Sequence, residues 1–196
     1  PAKPLGCYGD GGAIFTDSES LAEVLRSIRI HGKGDDKYDN VRVGLNARID
    51  TIQAAVLSEK LKIYPDEFTV RQQLAASYGT RVDALATDLI GNSLARQSVT
   101  PGIQSAWAQF VIRSNRRDSL AEGLRNAGIP TAVYYRTPSH QLKACRDLPI
   151  KAQFPHAERA ASEVLALPFH PYMTEDQINK ICDAIEAQLK SAVGTS

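Results

Sequence analysis

The chain has 196 residues, of which 43% are hydrophobic and 23% are charged, and this composition excludes a disordered or fibrous protein. Lys and Arg number 23 against 22 Asp and Glu, so the formal net charge of +1 gives no global reason to expect a nucleic acid or a membrane surface as a partner. No apolar run approaches the roughly 20 residues that cross a bilayer, and the N-terminus lacks a signal-peptide pattern. We therefore expect a cytoplasmic protein whose charge-dependent functions are local.

The three cysteines predict free thiols. Cys7, Cys145 and Cys182 lie far apart, are odd in number and form no C-x-x-C pair. An odd number of distant cysteines without a C-x-x-C pair disfavours a disulfide framework and a zinc site. We expect mostly structural thiols and no metal site.

The first 50 residues predict a strand, a helix and a long loop. Residues 11–16 form a short apolar run between glycines, typical of a strand, and Thr16-x-x-Glu19 has the pattern of a capping box that opens a helix. Gly32 is well placed to end that helix. Residues 31–48 lack periodicity over a longer stretch than the roughly 12 to 15 residues of most connections, so we expect a functional loop. The helix carries an apolar stripe that needs a sheet to cover it: Leu21, Val24, Leu25 and Ile28.

Two successive long helices are predicted next. Asp50-x-x-Gln53 repeats the capping pattern, and we expect the helix that it opens to be interrupted at Pro65, because proline inside a helix removes a hydrogen bond and clashes with the preceding turn. A second helix is predicted over residues 66–89. These two helices are expected to form a bridge between domains.

Strands and helices alternate in the remainder of the chain. The pattern predicts a strand over residues 107–112, a helix over residues 118–127 that Gly128 closes, and a strand over residues 129–135, which together make a β-α-β unit on a small sheet. A further helix is predicted near residues 157–165. A last amphipathic helix with a capping box is indicated by Thr174, Gln177, Ile178, Ile181, Ile185 and Leu189.

A lysine beside clustered glycines is the first candidate for chemistry. The glycines within residues 6–12 match neither G-x-G-x-x-G after a strand nor a P-loop, so we interpret them as tight turns. Lys3 precedes Pro4, which favours an extended conformation, and it lies next to a segment whose backbone a ligand is able to approach closely. Such an amine is suited to attack an aldehyde, although a solvated surface lysine fits the same residues.

Three segments of the chain carry a resemblance to a known family. Residues 1–16 read P-A-K-P-L-G-C-Y-G-D-G-G-A-I-F-T, residues 44–55 read G-L-N-A-R-I-D-T-I-Q-A-A, and residues 154–171 contain F-P-x-A-E and L-x-L-P-x-H-P. In this order they resemble the DegT-like family of pyridoxal-phosphate-dependent nucleotide-sugar aminotransferases, and the resemblance covers essentially the whole chain. It implies an α/β fold-type-I aminotransferase. Residues 1–65 would be the end of the large mixed-sheet cofactor-binding domain, and residues 66–196 the bridging helix and a smaller C-terminal α/β domain.

The resemblance also implies roles for three residues near the N-terminus. Lys3 would be the catalytic lysine that binds pyridoxal 5'-phosphate through its amine and later moves a proton between the amino donor and the cofactor. Asn46 matches the residue that reaches across a homodimer to the cofactor phosphate, and Arg48 lies where the family often contacts substrate. A turn asparagine and a surface arginine are the alternative interpretation of this pair.

A third set of candidate residues lies in the C-terminal half. Residues 133–140 read V-Y-Y-R-T-P-S-H and resemble the family's V-H-Y-P-x-P-L-H. Aromatic rings at these positions are suited to stack on a uracil or a sugar. Arg136, which replaces the usual Pro, is suited to pair with a phosphate or carboxylate. The end of a strand and a loop histidine are the alternatives. The implied substrate-binding residues are Tyr134, Tyr135 and His140.

Residues 26–48 have a local excess of positive charge. Six basic side chains against three acidic ones give +3, which would complement a nucleotide diphosphate or a sugar carboxylate. A solvated helix end and loop would explain the same count. The basic residues are Arg26, Arg29, Lys33, Lys37, Arg42 and Arg48, and the acidic ones are Asp35, Asp36 and Asp39.

The resemblance is strongest to enzymes that aminate UDP-2-acetamido-2-deoxy-3-oxo-glucuronate in lipopolysaccharide O-antigen synthesis. It implies a UDP-sugar substrate, glutamate as the amino donor and a homodimer with shared active sites. The alternatives are a UDP- or dTDP-4-keto-hexose aminotransferase and a non-catalytic, cofactor-binding regulator of the same fold. Because the chain starts without Met two residues before Lys3, we expect it to be about half of the working enzyme, with a first helix that lacks its sheet.

Overall fold

The computed structural model describes residues 3–36, 38–88, 94–149 and 152–191. These residues form a mixed α/β structure, as predicted. None of the described helices combines the length and the apolar character that a membrane span requires. The helices are α1 (Glu19–Arg29), α2 (Thr51–Asp88), α3 (Arg117–Asn126), α4 (Pro155–Glu163) and α5 (Glu175–Ser191), and the strands are β1 (Leu94–Arg96), β2 (Phe110–Ser114) and β3 (Val164–Leu167).

The chain divides into two compact units, Pro1–Pro65 and Asp66–Ser196. Helix α2 begins in the first unit and ends in the second. The predicted break at Pro65 is wrong, because the helix is continuous through this proline. Proline lacks the N–H that would donate to the carbonyl of Leu61, so the helix loses one hydrogen bond there and continues through the bonds of the neighbouring residues. The predicted helix end at Leu89 lies outside the described residues.

The N-cap of helix α1, in the first unit, lies two residues later than its sequence pattern indicates. Ser18, rather than Thr16, is its N-cap, since the Ser18 hydroxyl accepts a hydrogen bond from the Leu21 N–H at 3.3 Å. The Thr16 hydroxyl accepts one from the Ser18 N–H at 3.1 Å. No side chain of α1 is buried in the described structure, and Leu21 of its apolar stripe is 46% exposed.

The predicted strand over residues 11–16 is wrong. These residues run without assigned secondary structure, and Ile14 and Phe15 are 72% and 92% exposed. A strand is defined by its ladder of hydrogen bonds to a neighbour, and no described segment pairs with this one. An apolar sequence between glycines is therefore insufficient to make a strand here.

The second unit is built on a three-stranded antiparallel sheet in the order β1-β2-β3. Leu94 of β1 pairs with Ser114 of β2, and Phe110 of β2 pairs with Leu167 of β3. Alternate residues of β2 are buried, which gives the sheet one inward face. The largest fully buried side chains, contributed by the strands, α2, α3 and α5, are Tyr78, Phe110, Ile112, Leu120, Leu124, Leu165, Ile178, Ile185 and Leu189.

The predicted β-α-β unit is wrong in its strands. The strand expected over residues 107–112 starts only at Phe110, because Trp107 has a φ of 46°, which no strand accommodates. The strand expected over residues 129–135 is reduced to a single bridge between Ala132 and Ala166. Pro130 has no N–H to donate to a ladder. The strands β1 and β3 were not predicted.

The predicted helices of the second unit agree more closely with the structure than the predicted strands do. Helix α3 lies within one residue of its predicted bounds, and Gly128 follows it with a φ of 75°. The capping box of α5 is confirmed, since Thr174 N–H donates to Gln177 Oε1 at 3.0 Å and Gln177 N–H donates to Thr174 Oγ1 at 3.3 Å. Helix α4 ends at Glu163, and Leu165, predicted as helical, lies in β3.

Candidate functional site

Lys3 presents a free amine at the start of the first unit. The residue is exposed, and its side chain forms no hydrogen bond or ion pair with another described residue. The chain that follows is anchored: Cys7 is buried, and its thiol donates to the Gly9 carbonyl at 2.9 Å. The amine is thus available to a ligand, while the backbone a few residues away is held in place.

The loop of residues 31–48 doubles back on the end of α1 and so places Asn46. The Leu45 N–H donates to the Ile28 carbonyl at 2.8 Å, and the Ala47 N–H donates to the Arg29 carbonyl at 3.0 Å. Between these bonds, Asn46 forms a bridge with Ile30. The backbone is fixed on both sides of the Asn46 side chain.

Two glycines make this close approach of the loop to α1 possible. A Cβ on Gly44 would lie 2.0 Å from the Gly32 nitrogen and 2.3 Å from the His31 carbonyl carbon. A Cβ on Gly32, whose φ is +76°, would lie 1.7 Å from the Arg42 carbonyl oxygen. Backbone meets backbone at both points, so no side chain fits at either glycine.

Asn46 and Arg48 are brought together by the structure. The Arg48 Nε donates to Asn46 Oδ1 at 3.1 Å, and both residues are exposed. This bond uses the amide oxygen and leaves the Asn46 NH₂ as a donor beside a guanidinium group. Such a pair of donors suits an anionic group such as a phosphate or carboxylate.

The three candidate residues of the second unit line one open cleft of about 450 Å³. Tyr134 and Tyr135 meet edge to face with ring centroids 5.5 Å apart, and they are 46% and 72% exposed. His140 also lines the cleft and lies in a short 3₁₀ turn over Ser139–Gln141. The lining residues from α4 and its two ends are apolar: Phe154, Ala157, Ala160, Ala161 and Val164.

His140 is held by two residues at the start of α4. Its Nε2 lies 3.0 Å from Glu158 Oε1, and its ring centroid lies 4.8 Å from that of Phe154. Phe154 and Glu158 belong to the F-P-x-A-E segment, which was not predicted to contribute to the site. The motif itself is visible in the sequence, but only the fold places Phe154 and Glu158 beside His140.

Arg136 already has an acidic partner. Its Nη1 lies 3.2 Å from Asp118 Oδ1, which also accepts from the Arg117 Nε at 2.7 Å. Hydrogen bonds from Arg117 and then from Arg136 hold the pKa of Asp118 below its ordinary value. In the described structure the partner of Arg136 is thus Asp118, and its pairing with a phosphate or carboxylate of the substrate stays a prediction.

The described basic residues between positions 26 and 48 lie at the surface, where Lys33 is half-buried and the others are exposed, and their pairing with an anionic substrate stays a prediction. Arg26 pairs with Glu19 at 3.4 Å, and both side chains are mostly exposed. Lys37, one of the six predicted basic residues, lies outside the described residues. All three cysteines are free, and the described residues contain no group of three or more His, Cys, Asp or Glu side chains arranged to hold a metal ion.

Comparison with known proteins establishes the family. The sequence profile of the DegT/DnrJ/EryC1/StrS aminotransferase family matches residues 1–186. The chain belongs to this family. A UDP-2-acetamido-2-deoxy-3-oxo-D-glucuronate aminotransferase from Pseudomonas aeruginosa is 42% identical over 189 residues, which cover 94% of this chain and 49% of that protein.

Solved structures of family members share the fold. A DegT DnrJ EryC1 StrS aminotransferase from Brucella abortus has a TM-score of 0.86 and 44% identity, covering 95% of this chain and 48% of its own. DesV from S. venezuelae, solved with a ketimine intermediate, has a TM-score of 0.87 and 34% identity, covering 96% of this chain and 49% of its own. The described residues thus correspond to fold-type-I aminotransferases, and the chain spans about half the length of these relatives.

The residues present fit a pyridoxal phosphate cofactor. The exposed Lys3 amine, without a partner among the described residues, has the chemistry to condense with an aldehyde. The Asn46 amide NH₂, which the hydrogen bond with Arg48 leaves free to donate, has the chemistry to bind its phosphate.

Proposed function

We propose that the protein carrying this chain is a cytoplasmic, pyridoxal-phosphate-dependent aminotransferase that transfers the amino group of glutamate to UDP-2-acetamido-2-deoxy-3-oxo-glucuronate. The observation that carries the proposal is the 42% identity, over 94% of the chain, to an aminotransferase of that name from Pseudomonas aeruginosa. The product is an amino sugar of the kind built into the O-antigen of lipopolysaccharide. Because the chain spans about half the length of that relative, the activity belongs to the whole protein.

Lys3 is proposed as the catalytic lysine. Pyridoxal phosphate, when bound, supplies the electron sink that makes the Cα–H bond of an amino acid acidic. The Lys3 Nζ would hold the cofactor before the reaction. As a neutral amine, it would then move the proton between the Cα of the amino donor and the cofactor. The free state of the Lys3 amine among the described residues supports this role.

Asn46 is proposed to bind the cofactor phosphate and Arg48 the substrate, in a homodimer whose active sites are shared between subunits. Apolar residues just before Asn46 support such an interface, since Val43 is 95% and Leu45 is 62% exposed. Exposed apolar side chains grouped beside polar donors mark surfaces that another chain covers. Asn46 would then bind the cofactor phosphate of the partner subunit, and Arg48 would contact the substrate beside it.

Tyr134, Tyr135 and His140 are proposed to bind the nucleotide sugar in the cleft of the second unit. The exposed tyrosine rings offer stacking faces, and the apolar wall excludes water from that side. In this proposal, residues 1–65 end the cofactor-binding domain, and residues 66–196 comprise the bridging helix and the C-terminal domain.

The visible spectrum of the purified protein tests the proposal. We expect a cofactor band that glutamate shifts, and amination of the 3-oxo UDP sugar in preference to a 4-keto UDP sugar. The Lys3→Ala variant should lose both the band and the reaction. A variant that kept both would refute the assignment of Lys3, and a wild-type protein that bound cofactor but converted no donor would be a regulator instead.

A further inference from the structure

Gln53, in the first turn of α2, contacts the segment that carries Lys3. Its Oε1 accepts a hydrogen bond from the Tyr8 N–H at 2.8 Å, across 45 residues of sequence. Its Nε2 lies 3.0 Å from the point that a Cβ on Gly9 would occupy, so the Gln53 amide packs against the side of Gly9 where a side chain would stand. Gln53 is itself half-buried. One side chain therefore ties the helix start to the backbone of two consecutive residues.

Other contacts keep the same segment against the residues that precede α2. A Cβ on Gly11 would lie 3.2 Å from the Cys7 Sγ and 3.4 Å from the Ile49 Cδ1. Glycine at this position lets the chain pass between a buried thiol and an isoleucine. Ile49 directly follows Arg48, so the segment with Lys3 and the segment with Asn46 and Arg48 meet around the start of α2.

We propose that Gln53 is a positioning residue for Lys3. The lysine amine stands at the end of a flexible four-carbon stem, so the volume that it samples depends on where its backbone is held. Between Lys3 and the anchored Tyr8 lies Gly6, whose φ of 30° belongs to the region that glycine favours. The hydrogen bond that Gln53 accepts from the Tyr8 N–H limits the freedom of this short glycine-containing linker and keeps the amine within reach of a bound aldehyde.

The inference rests on the proposed function, because it takes Lys3 as the residue that binds the cofactor. It is tested in the whole protein with Gln53→Leu, which keeps the volume but removes the acceptor, and Gln53→Glu, which keeps an acceptor oxygen for the Tyr8 N–H. Gln73→Leu, at an exposed position of α2, is the matched control. The readouts are the release rate of pyridoxal phosphate, its visible circular dichroism, and the fraction of Lys3 trapped by borohydride and located by mass spectrometry.

We expect Gln53→Leu to release the cofactor about two- to tenfold faster, the change that corresponds to one lost hydrogen bond, and to alter the circular dichroism of the bound cofactor. Gln53→Glu should restore most of the wild-type behaviour, and Gln73→Leu should match the wild type. If Gln53→Leu gives no soluble protein, Gln53→Asn, with an amide one methylene shorter, should show the same faster release.

Two results would overturn the role of Gln53: wild-type release and circular dichroism in Gln53→Leu or its Asn substitute, or equal impairment of Gln53→Glu and Gln53→Leu. A wild-type protein that traps no cofactor at Lys3 would instead overturn the proposed function. The two failures are therefore distinguishable, since only the second one appears in the unmodified protein.

Discussion

The imidazole of His140 and the carboxylate of Glu158 lie 3.0 Å apart, Nε2 to Oε1, and they join two segments that are 18 residues apart in sequence. His140 belongs to a short 3₁₀ turn, and Glu158 lies in the first turns of α4. The turn has its own backbone bond, from the Gln141 N–H to the Pro138 carbonyl at 2.9 Å. The contact with Glu158 fixes this turn, and with it one wall of the cleft that contains the tyrosines.

Replacing Glu158 should loosen that wall. We expect Glu158→Ala to raise the KM for the nucleotide sugar several-fold with little change in kcat, because the change affects the shape of a binding surface and not the reacting groups. Amide exchange at Gln141 should become faster. Glu158→Gln, which keeps a hydrogen-bonding oxygen, should be milder, and Glu122→Gln, at an exposed position of α3, should behave as wild type. An unchanged KM in Glu158→Ala would contradict the proposed use of this cleft.

Gly44 is a position of the first unit where a single added methyl group meets backbone and should destabilise the fold. In Gly44→Ala the new Cβ would lie 2.0 Å from the backbone nitrogen of Gly32, which has no rotamer to change. We expect a loss of about 1 to 3 kcal/mol in the free energy of unfolding and faster amide exchange at Leu45. Gly12→Ala is the control, since nothing lies within 4 Å of its Cβ position, and it should stay within about 0.5 kcal/mol of wild type. Equal stability of the two variants in urea unfolding would count against this geometry.

Tyr78 should make the protein sensitive to alkaline pH. Burial, with a smaller contribution from Cys182, raises the pKa of Tyr78 above its ordinary value. The folded state therefore keeps the proton at pH values where the unfolded chain has lost it. The contribution of protonated Tyr78 to the free energy of unfolding is fully present below about pH 10. It decreases above that pH, by at most about 1.4 kcal/mol per pH unit.

The Tyr78→Phe variant isolates this effect. Near pH 8 it should be less stable than wild type by about 0.5 to 1.5 kcal/mol, because the Tyr78 hydroxyl donates to the Pro168 carbonyl at 3.1 Å. In urea unfolding, the difference in free energy of unfolding between wild type and Tyr78→Phe should decrease as the pH rises above 10, since phenylalanine does not titrate. Tyr135→Phe, at a side chain that is 72% exposed, should follow wild type throughout. A gap that is constant from pH 8 to pH 11 would show that Tyr78 does not titrate as inferred.

The capping box of α5 should contribute measurably to the stability of the second unit. Thr174→Ala removes the oxygen that accepts from the Gln177 N–H, and we expect a loss of about 1 kcal/mol. Thr174→Ser keeps the oxygen and should retain most of the stability. Thermal unfolding of the three proteins side by side provides the measurement, and a Ser variant as unstable as the Ala variant would rule out the cap as the cause.

The helices were the most predictable part of the fold. The apolar residues of α5 recur at helical spacing, and its start carries Thr174 and Gln177, so the signals for its existence and its beginning lie within a few residues of one another. Helix α2 shows the limit of such reasoning. Pro65 is a strong local signal for a break, yet the helix continues because the residues on both sides keep their own hydrogen bonds.

The strands were poorly predicted because a strand depends on a partner that is distant in sequence. β1 has three residues, and β3 directly follows α4, so neither has enough length to show a pattern of its own. Residues 11–16 show the reverse case, an apolar run that forms no strand where no described segment pairs with it. Trp107 fits a strand by its propensity, but its backbone takes a positive φ.

The amino-acid sequence by itself determined the helical faces, one correct helix cap and the motifs that resemble the family, because all of these depend on residues close together in the chain. The tertiary structure decided which segments meet: Gln53 with Tyr8, and His140 with Glu158. It also decided the order and register of the sheet. The physical reason is the same in each case, since a hydrogen bond between distant segments forms only after the chain has folded to bring its donor and acceptor together.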